Sequence, residues 1–240
     1  MKITSSKAAV ADITGNLLET YRLYGAEVFV AELHKLVLKQ KVRFPVLEHS
    51  AMMLYQAIPA KKLLPLTDKI ISLHEIGSYV YAGIILQEHL DTDLKAAISK
   101  AMEYIIEGDE WYVCDIIGER VMGYALLTKP GLTIPLLKQM TTHESKWIVR
   151  CVGVATHYAV KKGLKKEYVE TMFQILLSQA QATEFHTKTG IGWGAKTVAK
   201  FHPGIISKHK EQIAGTKQWF KTKVDIGLSR TGKYANRYNS

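Results

Sequence analysis

The residues best suited to chemistry in this chain are an aromatic ring and a carboxylate four positions apart, Trp111 and Asp115. On a helix, residues four apart lie next to each other on one face. A Trp ring offers the negative face of its π system to a cation, and the carboxylate adds a full charge. The pair therefore suits a cationic ligand. Taken alone, this helix favours a plainer interpretation, in which the Asp pairs with a nearby Lys or Arg and the Trp is partly buried.

A second segment, residues 144–160, places Lys146, Arg150 and His157 on one helical face. Arg150 carries a planar, permanently charged guanidinium that can hold a phosphate with two donors. A structural salt bridge is an equal alternative for this arginine. Trp147 falls in an apolar row of the same helix, and we expect it in the core.

The stretch KTGIGWGAKTVAKFHP, residues 188–203, surrounds Trp193 with three glycines. At 3.6 residues per turn, Trp193 lies on the far side from the apolar Ile191 and on the same face as Lys196 and Lys200. Two interpretations stay open. The glycines clear space so that a bulky partner can approach the helix backbone, or they allow close packing between helices with the ring buried.

Positive charge is concentrated in the second half of the chain. The formal net charge is +10 and the isoelectric point is near 9.4. Residues 1–120 hold 13 Lys and Arg against 16 Asp and Glu, whereas residues 121–240 hold 19 against 6. This asymmetry favours a polyanion, and nucleic acid above all, over a basic surface that merely aids solubility.

Several classes of protein do not fit the sequence. It has no run of 18 apolar residues, which argues against a membrane span, and its first residues lack the apolar core of a signal peptide. Cys114 and Cys151 form no CxxC pair and indicate packed thiols in a reducing cytoplasm. No histidines and cysteines stand at metal-ligand spacing and no GxSxG is present, so we expect neither a metal nor a cofactor.

Apolar residues recur every three to four positions almost throughout, which predicts an all-α chain. The expected helices cover residues 7–22, 26–41, 45–58, 61–73, 77–90, 93–106, 110–127, 132–141, 144–161, 165–182, 185–201 and 205–220. The polar tail from residue 223 is either a short final helix or a loop. Short connections predict antiparallel pairs, and two helices every 35 to 45 residues indicate a HEAT-like α-solenoid. We expect one continuous domain, residues 1–240, with a concave basic groove.

Three motifs taken together resemble the AlkD-type DNA alkylation repair family, whose members are HEAT-like repeat DNA glycosylases. They are W-x3-D at Trp111 and Asp115, W-x2-R at Trp147 and Arg150, and EF-x5-IGW ending at Trp193. The resemblance covers residues 77–203. It implies that Trp111, Asp115 and Trp193 surround the deoxyribose of a lesion as the catalytic residues.

The resemblance also implies a substrate and a partner. Family members excise purines alkylated at N3 or N7, which are cationic, and Arg150 would hold the DNA backbone. We assign further contacts with DNA to four lysines, Lys146, Lys188, Lys196 and Lys200. The expected protein is a cytoplasmic, nucleoid-associated monomer that binds double-stranded or branched DNA. The superfamily also contains non-catalytic members that bind forks and junctions, and a HEAT-like scaffold for an acidic protein partner is a third hypothesis.

Overall fold

A computed structural model describes residues 6–231, and within this range all regular structure is helical, with no strand. This confirms the predicted all-α, HEAT-like fold class. The helices are α1 (Lys7–Leu33), α2 (Phe44–Ala57), α3 (Ala60–Ile71), α4 (Ile76–His89), α5 (Leu94–Gly108), α6 (Trp111–Gly118), α7 (Tyr124–Thr128), α8 (Pro130–Met140), α9 (Lys146–Lys161), α10 (Lys166–Ser178), α11 (Phe185–Phe201), α12 (Pro203–Lys208), α13 (Lys210–Ala214) and α14 (Gln218–Leu228). Short π-helical segments continue α1 through residues 34–38 and join α6 to α7 through residues 119–123.

The chain divides into two compact units, Met1–Tyr104 and Ile105–Ser240. In the first unit, α2 and α4 run in the same direction, because hydrogen bonds between them advance along both helices. The hydroxyl of Tyr81 donates to that of Ser50 at 2.5 Å, and the hydroxyl of Tyr55 donates to the Glu88 carbonyl at 3.3 Å. Ser50 also shares a 2.6 Å hydrogen bond with Thr14 of α1, which satisfies a buried polar group inside this core.

The break that the sequence predicts between residues 22 and 26 is a kink inside α1. Gly25 has φ 81° and ψ −172°, a conformation that side-chain-bearing residues rarely adopt. The chain stays helical on both sides of it, and Ser6 caps the first turn by accepting from the amide of Ala9.

The predicted helix 205–220 is wrong in its extent. The structure has two short helices there, α12 and α13, and a new helix α14 that takes in the start of the tail. His209 separates α12 from α13 with non-helical angles, and its buried ring is hydrogen-bonded to Gln212 at 2.7 Å and to Glu170 at 3.2 Å. Apolar spacing continues across this bend, so periodicity alone could not locate it. The tail is therefore helical as far as Leu228, and residues 232–240 lie outside the described range.

Candidate functional site

Four helices of the second unit lie side by side and run in the same direction: α6 with its continuation α7, then α9, α11 and α14. Contacts between neighbours advance in the same order along each helix, through the pairs Asp115–Arg150, Gly123–Tyr158, Gly153–Gly190, His157–Thr197, Gly192–Lys223 and Ala199–Gly227. Successive HEAT-type repeats produce parallel neighbours of this kind, because the chain returns through another helix before it enters the next helix of the layer. All the residues that the motifs single out lie on this layer.

Glycines set the spacing of the layer. A Cβ built on Gly153 of α9 would lie 1.9 Å from the carbonyl oxygen of Gly190 of α11. A Cβ on Gly190 would lie 2.5 Å from the Arg150 carbonyl, and one on Gly194 would lie 2.9 Å from that of Gly153. Of the two interpretations of the glycines around Trp193, the structure therefore supports close packing between helices. They bring the backbone of α11 against α9.

Asp115 and Arg150 form the central contact of the layer. The Nε and Nη2 groups of Arg150 donate to Oδ1 and Oδ2 of Asp115, each at 2.9 Å. The arginine side chain is 6% exposed and the aspartate 18%. Burial alone would lower the pKa of Arg150, but the hydrogen bonds and charge of Asp115 outweigh it, so the pKa is raised. The plainer interpretation of Asp115 was pairing with a Lys or Arg, and that of Arg150 was a structural salt bridge. The structure shows both, because the two residues pair with each other.

The two candidate tryptophans are on α6, which carries Asp115, and on α11, which packs against Arg150. Trp111 is the first residue of α6, one turn before Asp115, and its residue surface is 53% exposed. Gly190, whose Cβ would meet the Cγ of Arg150 at 2.6 Å, is one turn before Trp193 on α11. Because a helical turn has 3.6 residues, Trp111 is attached to α6 about one turn before Asp115, and Trp193 is attached to α11 about one turn beyond the glycine that contacts Arg150. The structure thus gathers Trp111, Asp115, Arg150 and Trp193 on adjacent helices of one unit.

Trp193 is half-buried and stacked on a histidine. The ring of His157 lies 4.0 Å from that of Trp193, centroid to centroid, with 24° between their planes. Burial first, and then the nearby charges of Lys161, Lys196 and Lys200, lower the pKa of His157 to about 3. The imidazole is therefore neutral at physiological pH.

Cations converge beside Trp193. Burial, and then the charges of Lys223, Arg230 and Lys200, lower the pKa of Lys196. Lys223 reaches this place because α11 has no side chain at Gly192, where a Cβ would lie 2.8 Å from the Cγ of Lys223. Within residues 6–231, no carboxylate pairs with Lys196, Lys223 or Arg230. Repelling cations without acidic partners are the electrostatic signature of a site for an anion.

The remaining lysines of the predicted DNA-binding set have different surroundings. Lys146 places its Nζ 4.7 Å from the ring centre of Trp147, which is buried as predicted and donates to Asp109 at 2.5 Å. Lys188 lies one turn before Gly192 and is partly exposed. Lys200 lies in the last turn of α11, where its charge also complements the helix dipole.

A second carboxyl group lies one turn beyond Asp115. Glu119 begins the π-helical segment, is half-buried and makes no hydrogen bond to another side chain among the described residues. Burial raises the pKa of Glu119, the charges of Arg120 and Lys161 oppose that rise, and Asp115 adds to it.

Within residues 6–231 no three His, Cys, Asp or Glu side chains are grouped to hold a metal ion. No helix in the same range is long and apolar enough to cross a membrane.

The family profile described as "DNA alkylation repair enzyme" matches residues 41–217. The chain belongs to this family. No curated protein and no solved structure matches it. Membership in the DNA alkylation repair family confirms the resemblance found in the motifs. It gives the chain a role in DNA repair, with DNA as the partner.

Three residues that lie beside the candidate residues of this DNA alkylation repair protein were not singled out from the sequence: His157, Lys223 and Arg230. His157 could have been suspected, since it shares a face with Arg150 seven residues earlier. For Lys223 and Arg230 the sequence carries no comparable signal. Their place depends on a final helix whose existence the tail left open.

Proposed function

We propose that this protein is a DNA glycosylase that hydrolyses the N-glycosidic bond of purines alkylated at N3 or N7. The observation that carries the proposal is the carboxylate of Asp115, partly open to solvent, on a helix layer that also carries Trp111 and Trp193. Excess cations on the same layer supply the charge that a DNA backbone needs.

The chemistry requires stabilisation of a cation. In an N3- or N7-alkylated purine the base already carries the positive charge. When the bond from C1′ to the base nitrogen breaks, its electron pair goes to the base, which leaves neutral, and the sugar becomes an oxocarbenium-like cation. A water then adds to C1′ and releases its proton. The products are a free base and an abasic site.

Asp115 and the two rings act on the charge that appears at the sugar. A carboxylate close to C1′ favours the cationic state and orients the attacking water, and the faces of Trp111 and Trp193 favour the same charge. Removing one electrostatic stabiliser of this kind costs about 10²–10³ in rate. An unmodified purine would leave as an anion and gains far less from the arrangement, which accounts for selectivity toward cationic lesions.

Arg150 has two roles in this proposal. Two of its five N–H groups hold the carboxylate of Asp115 in place, which leaves three for a backbone phosphate. When a phosphate shares the guanidinium charge, less of that charge offsets Asp115, and the carboxylate becomes a better partner for the sugar cation. Binding of DNA would thus strengthen the catalytic group.

The test is a single-turnover assay with a duplex that contains one 7-methylguanine, with the released base quantified against the spontaneous rate. We expect the wild-type protein to release the base and Asp115→Asn to be slower by about 10²–10³. Glu167→Gln, an exposed carboxylate on α10, is the matched control and should leave the rate unchanged. Duplexes with unmodified guanine test whether release requires a positively charged base. Wild-type release no faster than the spontaneous rate would end the glycosylase proposal.

One observation favours a second function, the recognition of branched DNA without excision. Both oxygens of Asp115 are held by Arg150, so the carboxylate is largely neutralised. This function predicts tighter binding to forks and four-way junctions than to a linear duplex of equal length, measured at matched salt. Equal affinities for all three would exclude it.

A further inference from the structure

His157 occupies a position that the proposed chemistry does not use. Its ring stacks on Trp193 at 4.0 Å and 24°, so one face of the indole is covered from α9. Among residues 6–231 no other aromatic ring is in contact with Trp193. The imidazole thus occupies one face of the indole, and Trp193 as a whole is only partly buried.

A short chain of hydrogen bonds fixes the state of the imidazole. Nδ1 of His157 lies 2.7 Å from the hydroxyl of Thr197, and that hydroxyl donates to the carbonyl oxygen of Trp193 at 2.9 Å. A hydroxyl has a single hydrogen, so when it donates to the carbonyl it must accept from the histidine. The proton then resides on Nδ1, and Nε2 keeps its lone pair.

The surroundings keep this ring neutral. Lys161 lies on the same helix, and Lys196 and Lys200 face the ring from α11. Lys223 of α14 and Arg230, in the turn that follows α14, add positive charge beside Lys196. Glu119, in the π-helical segment between α6 and α7, carries a carboxyl group close enough to Lys161 for the two charges to interact. A positive charge at His157 would therefore meet cations on its own helix and on α11.

We infer that His157 is a positioning residue that holds Trp193 by stacking, as a neutral imidazole whose proton is on Nδ1. The inference rests on the proposed function, in which Trp193 meets a cationic lesion. A neutral ring fixes the indole by stacking and leaves its π electrons for the lesion. An imidazolium in the same place would itself form a cation–π interaction with the indole of Trp193, and its charge would repel a cationic purine.

The first test needs no DNA. In protein labelled with ¹⁵N-histidine, NMR reports the tautomer and the charge of His157, and the indole N–H signal of Trp193 reports its setting; His157→Phe and Trp193→Phe supply the assignments. We expect a neutral Nδ1–H imidazole at pH 6. We also expect the Trp193 signal to stay in place in His157→Phe, which keeps a flat ring, and to move or broaden in His157→Asn, which does not. A protonated ring or the Nε2–H tautomer at pH 6 would overturn the inference.

The second test measures excision of 7-methylguanine and affinity for undamaged duplex in the same variants. We expect His157→Phe to stay within about threefold of the wild-type rate. We expect His157→Asn to lose about 10–100-fold, with little change in affinity, because a displaced indole costs rate rather than backbone contacts. Equal rates for Asn and wild type would contradict the positioning role. If the wild-type protein excises nothing, the proposed function fails, and the NMR result still decides the state and role of His157.

Discussion

Asp115 and Arg150 tie helices α6 and α9 together through two hydrogen bonds of 2.9 Å, with the arginine almost wholly buried. The carboxylate that the motifs assign to catalysis is therefore also a structural partner. A buried guanidinium without its carboxylate is costly, so any change at Asp115 acts on stability as well as on chemistry.

A double-mutant cycle separates these two effects. We expect Asp115→Asn to lower the free energy of unfolding by about 2–4 kcal/mol, somewhat below the usual cost of breaking a fully buried pair because the aspartate retains some exposure. Asp115→Asn combined with Arg150→Met should cost clearly less than the sum of the single changes. Urea unfolding measures all four proteins. Glu27→Gln removes an exposed pair with Lys69 and should change stability by less than about 1 kcal/mol; additive single changes at 115 and 150 would refute the coupling.

The sequence was sufficient to predict the helices as far as residue 201 and the face on which each candidate residue lies, because apolar periodicity records the buried side of a helix. It was not sufficient to predict contacts between helices, which depend on the register of one helix against the next. Arg150 and Asp115 each had a salt bridge as an open alternative, and only the register of α6 against α9 shows that they pair with each other. The stacking of His157 on Trp193 depends in the same way on the register of α9 against α11.

The tight approach of α9 and α11 makes a prediction about Gly153. Gly153→Ala would place its Cβ 1.9 Å from the Gly190 carbonyl oxygen, and a backbone atom cannot move aside as a side chain can. We expect a loss of about 3 kcal/mol or more, or failure to fold, despite the better helix propensity of alanine. Gly131→Ala is the control, because nothing lies within 4 Å of its Cβ, and its thermal unfolding midpoint should be unchanged or slightly higher. Similar midpoints for both variants would show that the helices are not in close contact.

Glu119 gives a prediction about pH and stability. Burial raises its pKa in the folded state, so the ionised carboxyl group disfavours folding. This penalty is fully present above the folded pKa and disappears as the pH falls below the unfolded value near 4.3. We expect Glu119→Gln to raise the thermal midpoint by about 1–4 °C at pH 7 and by less at pH 4.5. The exposed Glu167→Gln should show no such difference, and an equal gain at both pH values for Glu119→Gln would count against the burial argument.

His157 makes the stability of the fold depend on pH in the direction opposite to Glu119. Its pKa is lowered to about 3 in the folded state, whereas an unfolded histidine titrates near 6.5. The unfolded chain therefore takes up a proton that the fold resists, and stability is lost as the pH falls from about 6.5 toward 3, at up to about 1.4 kcal/mol per pH unit. We expect the urea midpoint of the wild-type protein to fall more between pH 7 and pH 5 than that of His157→Phe. Parallel losses in the two proteins would mean that this ring is not held neutral.

The cations beside Trp193 predict the salt dependence of DNA binding. Each cation that neutralises a phosphate releases counterions, so removing it lowers the slope of log affinity against log salt by about one unit. We expect this reduction for Lys196→Gln and Lys223→Gln in binding to an undamaged duplex, and no reduction for Lys138→Gln on the exposed face of α8. Gly192→Ala should act like Lys223→Gln, because the new Cβ would lie 2.8 Å from the Cγ of Lys223 and displace its side chain. Slopes that match wild type for Lys196→Gln and Lys223→Gln would mean that the backbone of DNA does not reach this end of the layer.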